Sequence, residues 1–242
     1  MPLLFYVVVQ STNLVKDIYE EAFSLAEEEV AARQNFTRTT PAAHCEQMVI
    51  RANRTGYLSA IYYEDLSAKL EDDKAIIEIN TKIGEFTVEG AAIATLYVEN
   101  TYEEVEKLTD FFVIQDAKIP QMDYQYRTSQ LIDITLKSLP PGKPDLNNAI
   151  HCLRKISVIL AKLLEADGEY VKLGKDAANI IYRVPKIEDE LYAMYNQILP
   201  AAEQEISVMI ALFEGFYTMS RTANENNKQL VKDFAENAYE CV

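Results

Sequence analysis

Residues 145–168 read DLNNAIHCLRKISVILAKLLEADG, and the spacing of the apolar side chains in this stretch decides the fold class. These side chains recur three and four positions apart, which aligns them along one side of an α-helix. The pattern begins after Asp145 and ends near Asp167-Gly168, where glycine is a common helix stop. The stretch therefore predicts an amphipathic helix. Its apolar stripe consists of Ile150, Leu153, Ile156, Leu160, Leu163 and Leu164.

The same periodicity extends outward over most of the chain. Only 7 glycines interrupt the 242 residues, and the composition of 49% hydrophobic and 25% charged residues is that of a folded globular protein. Helices are predicted over residues 40–70 and 171–182 as well as in the C-terminal third. The sequence thus predicts an all-α fold, a multi-helix antiparallel bundle of about eight to ten helices in two groups.

Two segments fit either a helix or a strand. Residues 1–10 contain the β-branched run Val7-Val8-Val9, and residues 75–98 are rich in isoleucine and valine. In the second segment Gly84-Glu85 would form the turn of a hairpin if it were not helical. Both assignments are left open.

The sequence PPGKP at residues 140–144 cannot be helical, because three prolines in five residues form a stiff extended connector. We therefore predict an N-terminal helical group over residues 1–139 and a C-terminal group over residues 145–242, with one continuous domain as the alternative. Whether the two halves are an ancient repeat is left open.

Both histidines are followed directly by cysteine, in the pairs His44-Cys45 and His151-Cys152. Neighbouring residues of a helix point about 100° apart, so one pair cannot readily chelate one metal ion. The acidic runs at residues 71–73 and 188–190 are assigned to the starts of helices, where negative charge is favourable. We expect no metal, no cofactor and no catalytic residue.

The formal net charge of −15 opposes binding to nucleic acid, whose phosphates would be repelled. Three widely spaced cysteines, at positions 45, 152 and 241, form a poor disulfide framework and favour a reducing compartment, so the cytoplasm is predicted. Residues 3–9 are apolar but have no basic flank and are too short to span a membrane, and no membrane contact is expected. An oligomer is left open.

The absence of a catalytic pattern favours a non-enzymatic function. We predict a protein-interaction module, an adaptor or a subunit of a larger complex, that binds a partner with a basic surface through its helix faces. Two alternatives are a helical enzyme with a pocket between helices and a membrane-associated helical protein that uses its apolar N-terminus. The candidate partner-binding residues are Glu27, Glu28, Glu29, Glu103, Glu104, Glu106, Tyr62 and Tyr63.

Overall fold

The computed structural model describes residues 2–34, 46–70, 75–99, 102–118, 123–141, 144–167, 169–173 and 180–240, with the side chains of residues 2–12, 34 and 240 left out. The described helices are α1 (Pro2–Gln34), α2 (Tyr63–Leu70), α3 (Tyr124–Lys137), α4 (Leu146–Leu163), α5 (Ile187–Tyr195), α6 (Ile198–Ala202), α7 (Ile206–Thr222) and α8 (Glu225–Glu240), with a 3-10 helix at Val105–Phe111. The strands are β1 (Glu46–Arg51), β2 (Gly56–Ile61), β3 (Ile76–Ile79), β4 (Phe86–Thr87), β5 (Ala92–Val98), β6 (Phe112–Gln115), β7 (Tyr170–Lys172) and β8 (Ile180–Arg183).

The chain folds into two compact units, each assembled from separate segments. The helical unit contains Met1–Gln34, Met122–Asp167 and Pro185–Val242, and the sheet unit contains Asn35–Gln121 and Gly168–Val184. Pro140, Pro141 and Pro144 lie between α3 and α4, which pack against each other inside the helical unit. The boundaries between the two compact units therefore do not coincide with the proline-rich connector.

The all-α prediction is wrong, because two sheets are present. The sheet unit holds a five-stranded sheet in the order β1-β5-β3-β8-β7 and a three-stranded sheet in the order β4-β2-β6. The helices predicted over residues 40–70 and 171–182 are replaced in the described residues by β1, β2 and α2, and by β7 and β8. Burial along β2 alternates from Gly56 to Ser59, which is the two-residue period of a strand, and the alternation shifts at the bulge between Leu58 and Ala60.

Residues 75–98, left open between helix and strand, form strands. Isoleucine supplies most of β3, and β-branched side chains pack well on a pleated sheet. The strands β3 and β5 are antiparallel, with Ile77 opposite Leu96. Gly84 has a φ of 90°, a conformation that favours glycine, but the turn leads into β4 of the other sheet rather than closing a simple hairpin.

The core of the helical unit is built around α4, as its apolar stripe predicts. This helix packs against α1, α3 and α7, and Leu153, Ile156 and Leu160 are fully buried. Asp145 caps its start by accepting a hydrogen bond from the backbone N–H of Asn148 at 3.1 Å. Helix α1 begins at Pro2, so the backbone of residues 2–10 is helical rather than extended.

An aromatic cluster connects α5, α7 and α8 within the helical unit. The ring of Tyr195 lies 5.1 Å from that of Phe216, and Phe216 lies 5.5 Å from Phe234 in an edge-to-face arrangement. Such pairs stabilise packing beyond the area they bury. Tyr195 also shares a hydrogen bond of 3.1 Å with the Ser157 hydroxyl on α4, so its one polar atom is satisfied in the core.

Candidate functional site

A charged side chain lies in the interior of the helical unit, where charges are rare unless they are paired. Arg33, in the last turn of α1, is only 3% exposed. Its Nε donates to Glu29 Oε1 one turn earlier at 3.1 Å. On the other side its Nη2 lies 4.0 Å from Glu190 Oε1. One guanidinium is therefore shared between two carboxylates.

Glu190 is the second buried charge, also 3% exposed. Its Oε1 accepts hydrogen bonds from the Tyr124 hydroxyl and from Gln125 Nε2, the latter at 3.2 Å. Sequence reasoning assigned the run 188–190 to a helix start, and Glu188 and Asp189 are indeed exposed in the first turn of α5. Glu190 itself falls on the buried face of α5 beside Leu191 and Met194. An acid at a core position of an apolar stripe was the sequence signal that could have revealed it.

In this network Glu190 accepts a hydrogen bond from the Tyr124 hydroxyl, and the proton stays on the tyrosine. Burial, and then the charge of Glu190, raise the pKa of Tyr124 above its ordinary range. The phenol therefore stays protonated and keeps donating to the carboxylate. We define the buried network as Glu29, Arg33, Tyr124, Gln125 and Glu190.

A cleft of about 280 Å³ opens beside the buried network, between one face of α3 and one face of α5. The residues of each face are spaced three and four apart, as residues on one side of a helix must be. Glu190, Thr128, Ile132 and Met194 are the buried members, and the others are half-buried or exposed. The cleft is lined by Gln125, Thr128, Ser129, Ile132, Asp133, Glu190, Ala193, Met194 and Gln197.

A second concave surface lies on the outer face of α7 and is almost wholly apolar. Ile206 is 77% exposed, Ile210 55% and Tyr217 65%, at spacings that place them on one side of the helix. With Met209 and Phe213 they line an open groove of about 560 Å³, which carries Glu203 and Glu214 as its acidic members. We call these residues the α7 groove.

The candidate partner-binding residues from the sequence are spread over both units. Glu27 and Glu28 are exposed on α1, whereas Glu29 is part of the buried network. In the sheet unit Glu103 and Glu106 are exposed, and Glu104 is paired with Lys107 and Lys69. Tyr62 is exposed, while burial raises the pKa of Tyr63 to about 12. Their role in partner binding stays a prediction.

One of the two histidine-cysteine pairs, His151-Cys152, lies within the described residues. Cys45 and His44 lie outside the described residues, Cys152 is buried in the helical core, and His151 is partly exposed on α4. Among the residues that the structure describes, no group of three or more histidine, cysteine or acidic side chains could hold a metal ion.

We expect Cys152 to resist alkylation while the helical unit is folded. Burial raises the pKa of its thiol to about 11, so the reactive thiolate is scarce at pH 8 and increases only as the pH approaches that value. In a variant that keeps only this cysteine (C45S/C241S), mass spectrometry should show no iodoacetamide adduct after an hour at pH 8. The same variant unfolded in guanidinium should react fully. Rapid labelling of the folded chain would contradict the buried position.

The comparison with known families gives one match. A family model described as "Predicted membrane protein (DUF2254)" matches residues 6–218 of the 242. The chain belongs to this family. No curated protein and no solved structure matches it. Within the described residues, no helix combines the length and the apolar character needed to cross a bilayer.

Family membership corrects the function predicted from the sequence. The predicted adaptor or complex subunit is overturned by membership in a family described as predicted membrane proteins, and this description conflicts with the predicted cytoplasmic location. The function prediction rested on the absence of a catalytic pattern and on the short apolar N-terminus without basic flanks, whereas the family match rests on residues 6–218. The expectation of no membrane partner stays a prediction.

Proposed function

We propose that this chain forms the water-exposed part of a membrane protein and meets the bilayer through the N-terminal end of α1. The observation that carries the proposal is the continuity of α1 from Pro2 to Gln34. The apolar start and the core-packed remainder therefore belong to one continuous helix. Membership in a family of membrane proteins supports the proposal.

The sequence of α1 changes character along its length. No charged residue precedes Lys16, and residues 3–9 are all apolar. From Val15 onward the helix instead buries Ile18, Ala22 and Ala26 in the core of the helical unit. Residues 2–9 rise about 12 Å along a helix axis, against a hydrocarbon thickness of about 30 Å. The proposed contact is therefore insertion to the depth of roughly one leaflet.

The net charge of −15 determines which lipid surface is favourable. Anionic headgroups would repel an acidic protein, whereas zwitterionic headgroups leave the apolar contribution of α1 unopposed. Burial of apolar side chains in the acyl region, rather than charge attraction, is the proposed driving force.

Vesicle flotation of the purified chain tests this proposal. We expect the wild-type chain to float with phosphatidylcholine vesicles and to float less when anionic phosphatidylglycerol is added. Val8→Asp should lower the bound fraction about tenfold or more, since an acidic residue inside the hydrocarbon costs at least about 2 kcal/mol. The matched control is Val88→Asp, which places the same charge at an exposed valine of the sheet unit.

The α7 groove provides the alternative apolar contact, and Ile210→Asp separates the two. If I210D abolishes flotation while V8D does not, the groove and not α1 meets the membrane. A wild-type chain that stays unbound, or equal flotation of V8D and V88D, would likewise refute the role of α1.

A further inference from the structure

The outer face of α7 has the residue pattern of a helix that packs against another helix. Ile206, Ile210, Phe213 and Tyr217 follow one another at spacings of four, three and four, which is the spacing of the apolar seam in a left-handed pair of helices. Three of these four residues are more than half exposed. The seam therefore lies largely open in a single copy of the chain.

The side chains that line the α7 groove are arranged as the receiving surface of such a pair. In a packed helix pair, each seam side chain inserts into a hole formed by four residues of the facing helix. Two such holes, each with members at positions i, i+3, i+4 and i+7, account for all of the groove lining except Glu203. The first hole consists of Ile206, Met209, Ile210 and Phe213, and the second of Ile210, Phe213, Glu214 and Tyr217.

The two ends of the groove carry opposite charges. Glu203 lines the end at the start of α7, and Arg221 follows Tyr217 by one turn, with its guanidinium 5.8 Å from the centre of the Tyr217 ring. Glu203 and Arg221 are exposed, and neither forms an ion pair with another described residue. Glu214, by contrast, is paired with Arg154 at 3.2 Å. Charge complementarity therefore favours a partner helix with a base at the Glu203 end and an acid at the Arg221 end.

We propose that a second copy of this chain occupies the α7 groove, with the two α7 helices antiparallel about a two-fold axis. In this orientation Arg221 of the second copy meets Glu203, and the symmetry repeats the contact at the other end. Parallel pairing would instead place Glu203 beside Glu203 and Arg221 beside Arg221, which is unfavourable. The proposal concerns a contact between copies and does not depend on how α1 meets a bilayer.

The same two-fold arrangement fits the seam. Ile206 lies opposite Tyr217 of the second copy. One turn further along, Ile210 lies opposite Phe213 of the second copy. Tyr239 of α8 continues the apolar surface, because it is 74% exposed and its ring lies 6.4 Å from that of Phe213. Helix α7 has 17 residues and is about 25 Å long, so the contact is small for a specific interface, and we expect a dissociation constant of about 10 µM.

A lipid surface is the competing occupant, and the acids of the groove oppose it. Glu203 and Glu214 would enter the acyl region together with the apolar side chains, where a carboxylate is costly. A helix from a second copy instead leaves both acids at the rim, in contact with water or with a basic side chain.

Sedimentation velocity of the full chain in lipid-free buffer tests the proposal. We expect a monomer–dimer equilibrium. Ile210→Asp should weaken dimerisation about tenfold or more, because it places a charge at the centre of the seam. The matched control, Val88→Asp, adds the same charge at an exposed valine of the sheet unit and should stay within twofold of the wild type. Val8→Asp should also stay within twofold, which separates this contact from association through the apolar N-terminus.

The charged ends are tested by reversing each charge. Arg221→Glu and Glu203→Arg should each weaken dimerisation about fivefold, since each variant places like charges together at both ends of the groove. An equimolar mixture of the two variants should recover the wild-type affinity. In the mixed dimer, residue 203 of each copy again faces an opposite charge at position 221.

Cysteine cross-linking tests the orientation. Positions 206 and 217 are about 16 Å apart along α7, whereas a disulfide needs Cα atoms within about 7 Å. In the C45S/C241S background, chains with Ile206→Cys should form a disulfide with chains that carry Tyr217→Cys. Neither variant should cross-link to itself under the same mild oxidation.

Several results would overturn the interface. A chain that stays monomeric at about 200 µM, or I210D that dimerises as well as V88D, refutes it. Loss of the dimer in V8D but not in I210D would assign association to the N-terminus. Self-cross-linking of I206C chains would indicate parallel pairing. A monomeric chain whose flotation with vesicles is abolished by I210D would show that the groove faces lipid.

Discussion

Replacement of Arg33 by methionine is expected to lower the free energy of unfolding of the helical unit by about 3–5 kcal/mol. The substitution keeps the approximate volume and the unbranched shape of the side chain but removes the guanidinium. Glu190, which is 3% exposed, would then remain buried without the cation that lies 4.0 Å from it. Guanidinium unfolding followed by far-ultraviolet circular dichroism measures the loss.

The partner substitutions test whether charge is the cause. Glu190→Gln should cost less than R33M, because Arg33 retains Glu29 at 3.1 Å. The double variant Arg33→Met/Glu190→Leu should recover most of the stability, since an apolar pair can replace a buried ion pair at little cost. A double variant no more stable than R33M would show that packing or the Tyr124 hydrogen bond dominates instead.

The second large effect is expected at Gly215, where α7 crosses α4. A Cβ atom at this position would lie 2.2 Å from Ser157 Oγ and 3.1 Å from Ser157 Cβ. Alanine normally stabilises a helix by about 1 kcal/mol relative to glycine. Here we expect Gly215→Ala to destabilise the helical unit by about 1–3 kcal/mol, because the two helices must separate or Ser157 must give up its bonds to Leu153 and Tyr195.

A double-mutant cycle with Ser157 isolates this contact. Ser157→Gly removes both clashing atoms, so its combination with G215A should recover much of the lost stability relative to the sum of the single changes. Thr218→Ala, at an exposed position on the same helix, is the control and should be close to neutral. Strict additivity of G215A and S157G would show that the crossing is looser than the distances indicate.

The helices that could be predicted are those whose own sequence shows a clear helical pattern, whatever they pack against. The stripe of α4 is long and regular enough to specify a buried helix by itself, and α7 is apolar over much of its circumference. By contrast, the strands span two to seven residues, and over such lengths apolar spacing fits a helix as well as a strand.

Long-range pairing explains why the sheets were missed. Ile77 of β3 lies opposite Ile180 of β8 in parallel register, roughly a hundred residues later in the chain. Nothing local to either segment specifies that partner. The cleft was missed for a related reason, because Glu190 was grouped with its exposed neighbours Glu188 and Asp189 instead of with the core face of α5. Family membership, in turn, rests on the pattern of more than two hundred residues and not on a motif.

The interleaving of the two units has a consequence for synthesis on the ribosome. Helix α1 is synthesised before the sheet unit, but its packing partners α3 and α4 follow only after the main segment of the sheet unit has been made. The sheet of that segment is itself incomplete until β8, which pairs with β3, has been synthesised. Neither unit can complete its core until late in synthesis. The apolar face of α1 remains exposed for the longest time. A nascent chain whose core forms this late exposes apolar surface for longer, which favours aggregation during translation.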